Sequence, residues 1–203
     1  MSGASIWGLV GLGWLFVVVR RRSVAAGLLT VQALVLVGVA LNQARSGEDV
    51  VAAVALAARA LGLATLFFVL VARTREPMPV RAGVAPLVRC GAAVALALVL
   101  TWLVPTIGLV SRDAERGVLA LVAFGIVTVA TRRATLFQVM GVVLVENGLA
   151  LGALGLPGVS SLAIELGVAF DLTLVVLVAA VFHERIFAEF GSGDTAVLQA
   201  LRD

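Results

Sequence analysis

Long apolar runs alternate with short polar breaks along this chain, and the spacing of the breaks is the first guide to its architecture. The apolar runs fall near 4–20, 23–42, 50–72, 83–105, 116–131, 134–155 and 160–183. They are parted by "RRR" at 20–22, "NQARSGED" at 42–49, "RTREPMPVR" at 73–81, "SRDAER" at 111–116, "TRR" at 131–133 and "GLPGVSS" at 155–161. A bilayer core of about 30 Å is crossed by about 20 helical residues, with a range of roughly 17 to 25. The pattern predicts an all-α membrane protein of about seven transmembrane helices, with Pro157 closing the sixth.

Composition supports the membrane as solvent. Of 203 residues, 62% are hydrophobic and 13% charged, against a charged share of about 25% in soluble domains. The mean hydropathy is +1.14. The 15 basic residues are all arginines, set in short clusters between apolar runs, which speaks against nucleic acid as a partner. The single cysteine, Cys90, reads as a small packing residue, and the single histidine, His183, cannot build a metal site alone. No metal and no cofactor are expected in this chain. The Ile6–Val19 run has signal-peptide length, but its arginines follow the run, so it reads as a retained first span. "GLVGLG" at 8–13 lacks the preceding strand that a nucleotide-binding loop needs.

Arginine placement predicts orientation, because short loops rich in arginine stay on the cytoplasmic side. Alternate breaks carry Arg20 to Arg22, then Arg73, Arg75 and Arg81, then Arg132 and Arg133. The intervening breaks carry Arg45, then Arg112 and Arg116 balanced by Asp113 and Glu115, then none. The N-terminus is expected outside and the C-terminus inside. Three regions are expected: four helices in 1–110, three in 111–186, and a cytoplasmic tail in 187–203.

Against this background the charged residues inside the runs stand out. At a rise of 1.5 Å per residue, Glu146 lies about 20 Å from Arg133, and Asp171 about 16 Å into the last span. Arg59 lies about 15 Å from Asp49, again near mid-span. Glu165 is nearer the outer end, and six residues set it roughly 120° from Asp171 around the helix. A charge at the bilayer centre costs about 2.5–3.5 kcal/mol on insertion scales, so such residues mark function by default. A proton relay through Glu146 and Asp171, with Glu165 and Arg59 as further members, is one reading. A plain interhelical ion pair made by Arg59 is the other. Asn147 and Gln32 are mid-span amides suited to interhelical hydrogen bonding or to the pathway, and His183 is a helix-end cap or a proton donor beneath Asp171. Gly148 and Gly152 form a small-residue pair for close helix packing.

The tracts "RRATLFQVMGVVLVENGLAL" and "ELGVAFDLTLVVLVAAVFHERI", with "VQALVLV" at 31–37, Arg59 and "TREPMP", resemble the hydrogenase-4 component E family of formate hydrogenlyase and group 4 membrane hydrogenases. Spans five to seven also resemble the K subunit of respiratory complex I and the C subunit of Mrp antiporters. The resemblance implies a membrane subunit beside antiporter-like and quinone-reductase-H-like subunits, with peripheral redox subunits further off. By position Asp171 takes the place of the second buried carboxylate of the small-subunit pattern, and His183 matches the basic region at the helix end. The first carboxylate departs from the pattern: its usual position is Val143, and Glu146 stands one turn later on nearly the same face. An Mrp-like antiporter module without hydrogenase and a stand-alone seven-helix transporter are the alternatives.

The arginine asymmetry predicts a labelling pattern. In a Cys90→Ala background, Gly191→Cys should react with membrane-impermeant maleimide only from the cytoplasmic face and Ser160→Cys only from the outer face; reversed labelling would overturn the N-out arrangement.

Overall fold

The computed structural model describes residues 2–73, 84–156, 176–177 and 179–188, and among them the structure is helical throughout apart from turns and caps. Six helices are α1 (Gly3–Val18), α2 (Arg22–Gln43), α3 (Gly47–Arg73), α4 (Pro86–Leu103), α5 (Arg112–Thr131) and α6 (Thr135–Leu154). Helical residues recur at 176–177 and 179–188. Five helices, α2 to α6, are long and apolar enough to cross a membrane, and α1 is a shorter apolar helix of 16 residues. The chain is a multi-pass membrane protein.

Local chemistry sets the helix ends. Ser2 caps α1 by accepting from the Ser5 amide. At the start of α3, Ser46 Oγ accepts from the Asp49 amide while the Asp49 carboxylate accepts from the Ser46 amide at 2.9 Å, a reciprocal capping box. Pro86 opens α4, where a missing N–H costs nothing. Pro105 closes it, since the residue before a proline avoids the helical region; the helix stops at Leu103 with Val104 extended. Ser111 caps α5 through the Ala114 amide, and the Glu115 carboxylate gathers the amides of Gly108 and Leu109. Gly108 has φ +81°, a conformation that suits glycine alone without strain. The sixth span ends at Gly155, whose amide bonds the Gly152 and Leu151 carbonyls, so the helix is already terminated before Pro157, which lies outside the described residues.

The centre of the bundle is an antiparallel pair, α5 and α6, joined by glycines. A Cβ on Gly125 would stand 2.6 Å from the Gly141 carbonyl oxygen, and one on Gly141 3.1 Å from the Gly125 carbonyl oxygen. Gly148 meets α5 in the same way, 3.0 Å from Leu121 Cβ, whereas Gly152 has its nearest neighbour, Val118, at an ordinary 3.5 Å. Small residues let backbones approach in a membrane, where apolar contact with a helix gains little over contact with lipid. Gly148 therefore packs as its sequence context predicts, Gly152 is looser, and Gly125 and Gly141 form the tightest contact.

The other helices dress this pair. α1 packs on α5 and α2, α2 also on α3 and α6, and α4 on α5 and α1. The expected four-helix and three-helix regions thus interleave in one bundle. α1 and α5 run parallel: Gly3 adjoins Asp113 at one end, while Arg132 bonds the Val17 carbonyl at the other. Ser2, Asp113 and Gly155 share the first end. Arg22, Arg73, Arg89, Arg132 and His183 gather at the second, where Arg73 pairs with Glu184 at 3.3 Å. The N-terminus and His183 therefore lie at opposite ends of the molecule. The last helix continues to Ala188, five residues beyond the 183 boundary expected from hydropathy.

The glycine seam yields an ordering. Gly125→Ala forces the α5 and α6 backbones apart and should lower stability by about 1–3 kcal/mol. Gly152→Ala should be close to neutral. Denaturation in detergent micelles measures both, and equal effects would contradict the seam.

Candidate functional site

Three consecutive residues of α6 face three different neighbours. Successive helical residues turn by about 100°, so Glu146, Asn147 and Gly148 point in directions that no two share. Glu146 meets α3, Asn147 meets α2, and Gly148 meets α5.

The Glu146 contact is an ion pair. Arg59 Nη2 donates to Glu146 Oε2, with the two side chains 8% and 5% exposed. Arg59 stems from a helix that packs along α2, and its length carries the guanidinium to α6. Glu146 Oε1 and Arg59 Nε have no hydrogen-bond partner among the described residues. Arg59, on its own side of the pair, lines a cavity of about 20 Å³ with Thr30, Val143 and Asn147 among aliphatic side chains, about the room one water needs. Val143 thus lines the same cavity as the arginine that pairs with Glu146.

The Asn147 contact is a chain of amides. Asn147 Nδ2 donates to Gln32 Oε1 at 3.0 Å, and Gln32 Nε2 donates to the Leu9 carbonyl at 3.0 Å. The order is dictated by the far end: a carbonyl only accepts, so Gln32 must present its NH2 to Leu9 and its oxygen to Asn147. Gly13 packs alongside, where a Cβ would stand 2.7 Å from Leu121 Cδ2 of α5 and 3.4 Å from Gln32 Nε2. Both amides are the interhelical ties their mid-span positions predict, and they link α6 to α1 through α2.

Of the expected relay members, the structure brings Arg59 and Glu146 together, with Asn147 and Gln32 alongside. Asp171 and Glu165 lie outside the described residues. His183 is not a helix-end cap: it is fully buried within the 179–188 helix, and neither ring nitrogen has a hydrogen-bond partner among the described residues. It sits at the arginine end, far along the bundle from Glu146.

That arginine end escaped sequence reasoning. Arg132 looks like a topology marker in the 131–133 break and Arg89 stands inside the fourth apolar run, yet Arg89 and Arg132 are 0% and 2% exposed. Arg132 Nη2 donates to the Val17 and Val19 carbonyls, which the end of α1 leaves without helical partners, and its guanidinium lies 4.2 Å over the Phe137 ring. Burial, and then the charges of Arg89 and Arg20, push the Arg132 guanidinium down to about 9. Arg89 and Ala93 are the two buried residues of α4, four apart on its inward face.

Truncating one partner of a buried pair leaves the other charge uncompensated. Arg59→Met and Glu146→Met should each destabilise by about 3–5 kcal/mol, with the double variant recovering most of the loss. A double-mutant cycle by thermal denaturation in detergent measures this, and additive losses would show that the two side chains do not act as a pair.

No family model matches this chain, and neither the curated proteins nor the solved structures include one that matches it.

Proposed function

We propose that this chain is a membrane subunit of a complex I-like proton-translocating assembly of the hydrogenase-4 and formate hydrogenlyase type, in which Glu146 is a protonatable station within the membrane arm. The observation that carries the reading is the Arg59–Glu146 pair: a carboxylate buried among apolar helices, one oxygen held by arginine and the other without a partner among the described residues, with the arginine lining a cavity large enough for one water.

The chemistry of a relay follows from charge balance. With Glu146 ionised, the pair is neutral as a whole and tolerable in a dry interior. A proton arriving at the unpartnered Oε1 leaves Arg59 as a buried cation without compensation, which is costly. The system then relaxes by returning the proton or by moving Arg59 towards another carboxylate. Asp171, as the resemblance implies, and Glu165, by its place in the same apolar run, are the candidates for that second carboxylate. Asn147, tied to Gln32, holds the α6 backbone in place while the neighbouring residue changes charge.

In this reading the chain sits in a cell inner or plasma membrane with its N-terminus outside and its C-terminus in the cytoplasm. It works beside antiporter-like and quinone-reductase-H-like subunits, and peripheral redox subunits supply electrons.

The test is proton pumping coupled to turnover in vesicles holding the intact assembly, with complex content quantified in parallel. Glu146→Gln and Asp171→Asn should each cut pumping to below about a tenth, the scale on which removing a proton-transfer group is felt. Asp171→Asn should leave complex content unchanged, because an amide costs no more to bury than a protonated acid. Glu146→Gln leaves Arg59 without its counter-charge and should lower complex content, so pumping is read per assembled complex. Val143→Ala, which trims packing without touching charge, should pump normally. Pumping that survives both amide variants would make the ion pair a purely structural clasp.

A further inference from the structure

The arginine end of the bundle holds more positive charge than the described residues there can balance. Arg89 is 0% exposed, and all three of its guanidinium nitrogens lack a hydrogen-bond partner. Nε and Nη1 of Arg132 are likewise unpartnered, while its Nη2 is spent on neutral carbonyls. Arg20 stands close enough to act on both charges and, with Arg21, is exposed at the surface. The acid at this end among the described residues is Glu184, and it is paired with Arg73. The other described carboxylates are at the far end, on α3 and α5, or at mid-bundle on α6.

A buried cation with no counter-charge is expensive, and an anion beyond the described residues, from this chain or from its surroundings, would discharge it. Position narrows the choice. Arg89 is the fourth residue of α4, about 5 Å from the helix start, at the depth where a membrane-spanning helix enters the headgroup layer. The outer face of the same helix is apolar along its whole length, with Leu87 86% and Trp102 87% exposed and Val94 and Leu98 between them. Charge at the headgroup level above an open hydrocarbon track matches an amphiphile with an anionic head. Basic pockets between transmembrane helices recognise anionic lipids in this way.

We propose that this end of the bundle is a binding site for an anionic phospholipid, whose phosphate is held by Arg20 and Arg21 over the buried charges of Arg89 and Arg132 and whose acyl chains lie along the outer face of α4. Arginine suits the task because its guanidinium forms paired hydrogen bonds with phosphate oxygens. Arg89 acts from beneath through its charge, and Arg20 and Arg21 make the direct contacts. The site is independent of the proton path proposed above, which lies on α3 and α6 at mid-bundle.

The experiment is thermal unfolding of the full chain in nonionic detergent with added phosphatidylglycerol, phosphatidylcholine or inorganic phosphate. Phosphatidylglycerol at a hundredfold excess over its Kd should raise Tm by on the order of 5–10 °C, with phosphatidylcholine and inorganic phosphate giving much less. Arg89→Met removes an uncompensated charge at nearly constant volume, so it should match or exceed the wild-type Tm without lipid and lose at least half of the phosphatidylglycerol increment. Arg20→Gln with Arg21→Gln, both on the surface, should leave the lipid-free Tm unchanged and shift the lipid titration to higher concentration; this pair carries the test if the Arg89 variant does not fold. Equal shifts from the two lipids would overturn the proposal. So would a phosphate effect matching that of phosphatidylglycerol, which would mark a free-anion site, or a phosphatidylglycerol increment that both sets of variants leave intact.

Discussion

A polar group sealed between hydrocarbon-clad helices has no water to fall back on, and most of this bundle's architecture can be traced to how α6 meets that constraint. Its three-residue run of Glu146, Asn147 and Gly148 turns through three directions and meets three neighbours, with an ion pair to α3, an amide chain to α2 and α1, and a glycine contact to α5. Each tie is of a kind that lipid cannot supply. Apolar contacts alone would hold helices weakly in a membrane, because lipid tails offer nearly the same dispersion energy. Directional polar contacts and close backbone approach are what single out one arrangement from many.

The two classes of tie cost different amounts. The Asn147–Gln32–Leu9 chain is a run of neutral hydrogen bonds with its order set by the carbonyl at its end, and it gives register to α1, α2 and α6 at little electrostatic expense. The Arg59–Glu146 pair carries two full charges into the interior, where desolvation offsets most of their attraction. A pair of well-packed aliphatic residues would hold α3 to α6 as firmly. Retaining charges at such a cost makes sense where one of them has to change state, and this is why the pair, more than the amide chain, bears on function.

Electrostatically the molecule is lopsided along its axis. The end bearing Ser2 and Asp113 has acidic residues spent on capping, as with Glu115 on the 108–109 turn and Asp49 at the start of α3. The opposite end buries Arg89 and Arg132, whose partners among the described residues are the neutral carbonyls and the Phe137 ring that Arg132 meets. Arg132 there serves the fold directly by taking up carbonyls that the end of α1 leaves open. Arg89 has no such employment within the described residues, and α4, otherwise lipid-facing, turns it inward all the same.

Membrane class, helical content and the approximate limits of the first six helices were legible in the sequence, because hydrophobic run length, caps and prolines are local and the bilayer imposes a fixed length scale. The tightness of Gly148 and the hydrogen-bonding role of Gln32 were legible too, since a small residue or an amide at mid-span has few other uses. The structure alone decided who meets whom. Glu146 could have paired with Arg59 or stood apart, and Gly125 carries no sequence mark that separates it from the looser Gly152. Nor did Arg89 within the fourth run or Arg132 at a break reveal that each lies sealed inside. Hydropathy reports how much of a segment avoids water, but the direction each side chain takes within the bundle depends on the rotation and neighbours of its helix. Those are settled only when all the helices pack together.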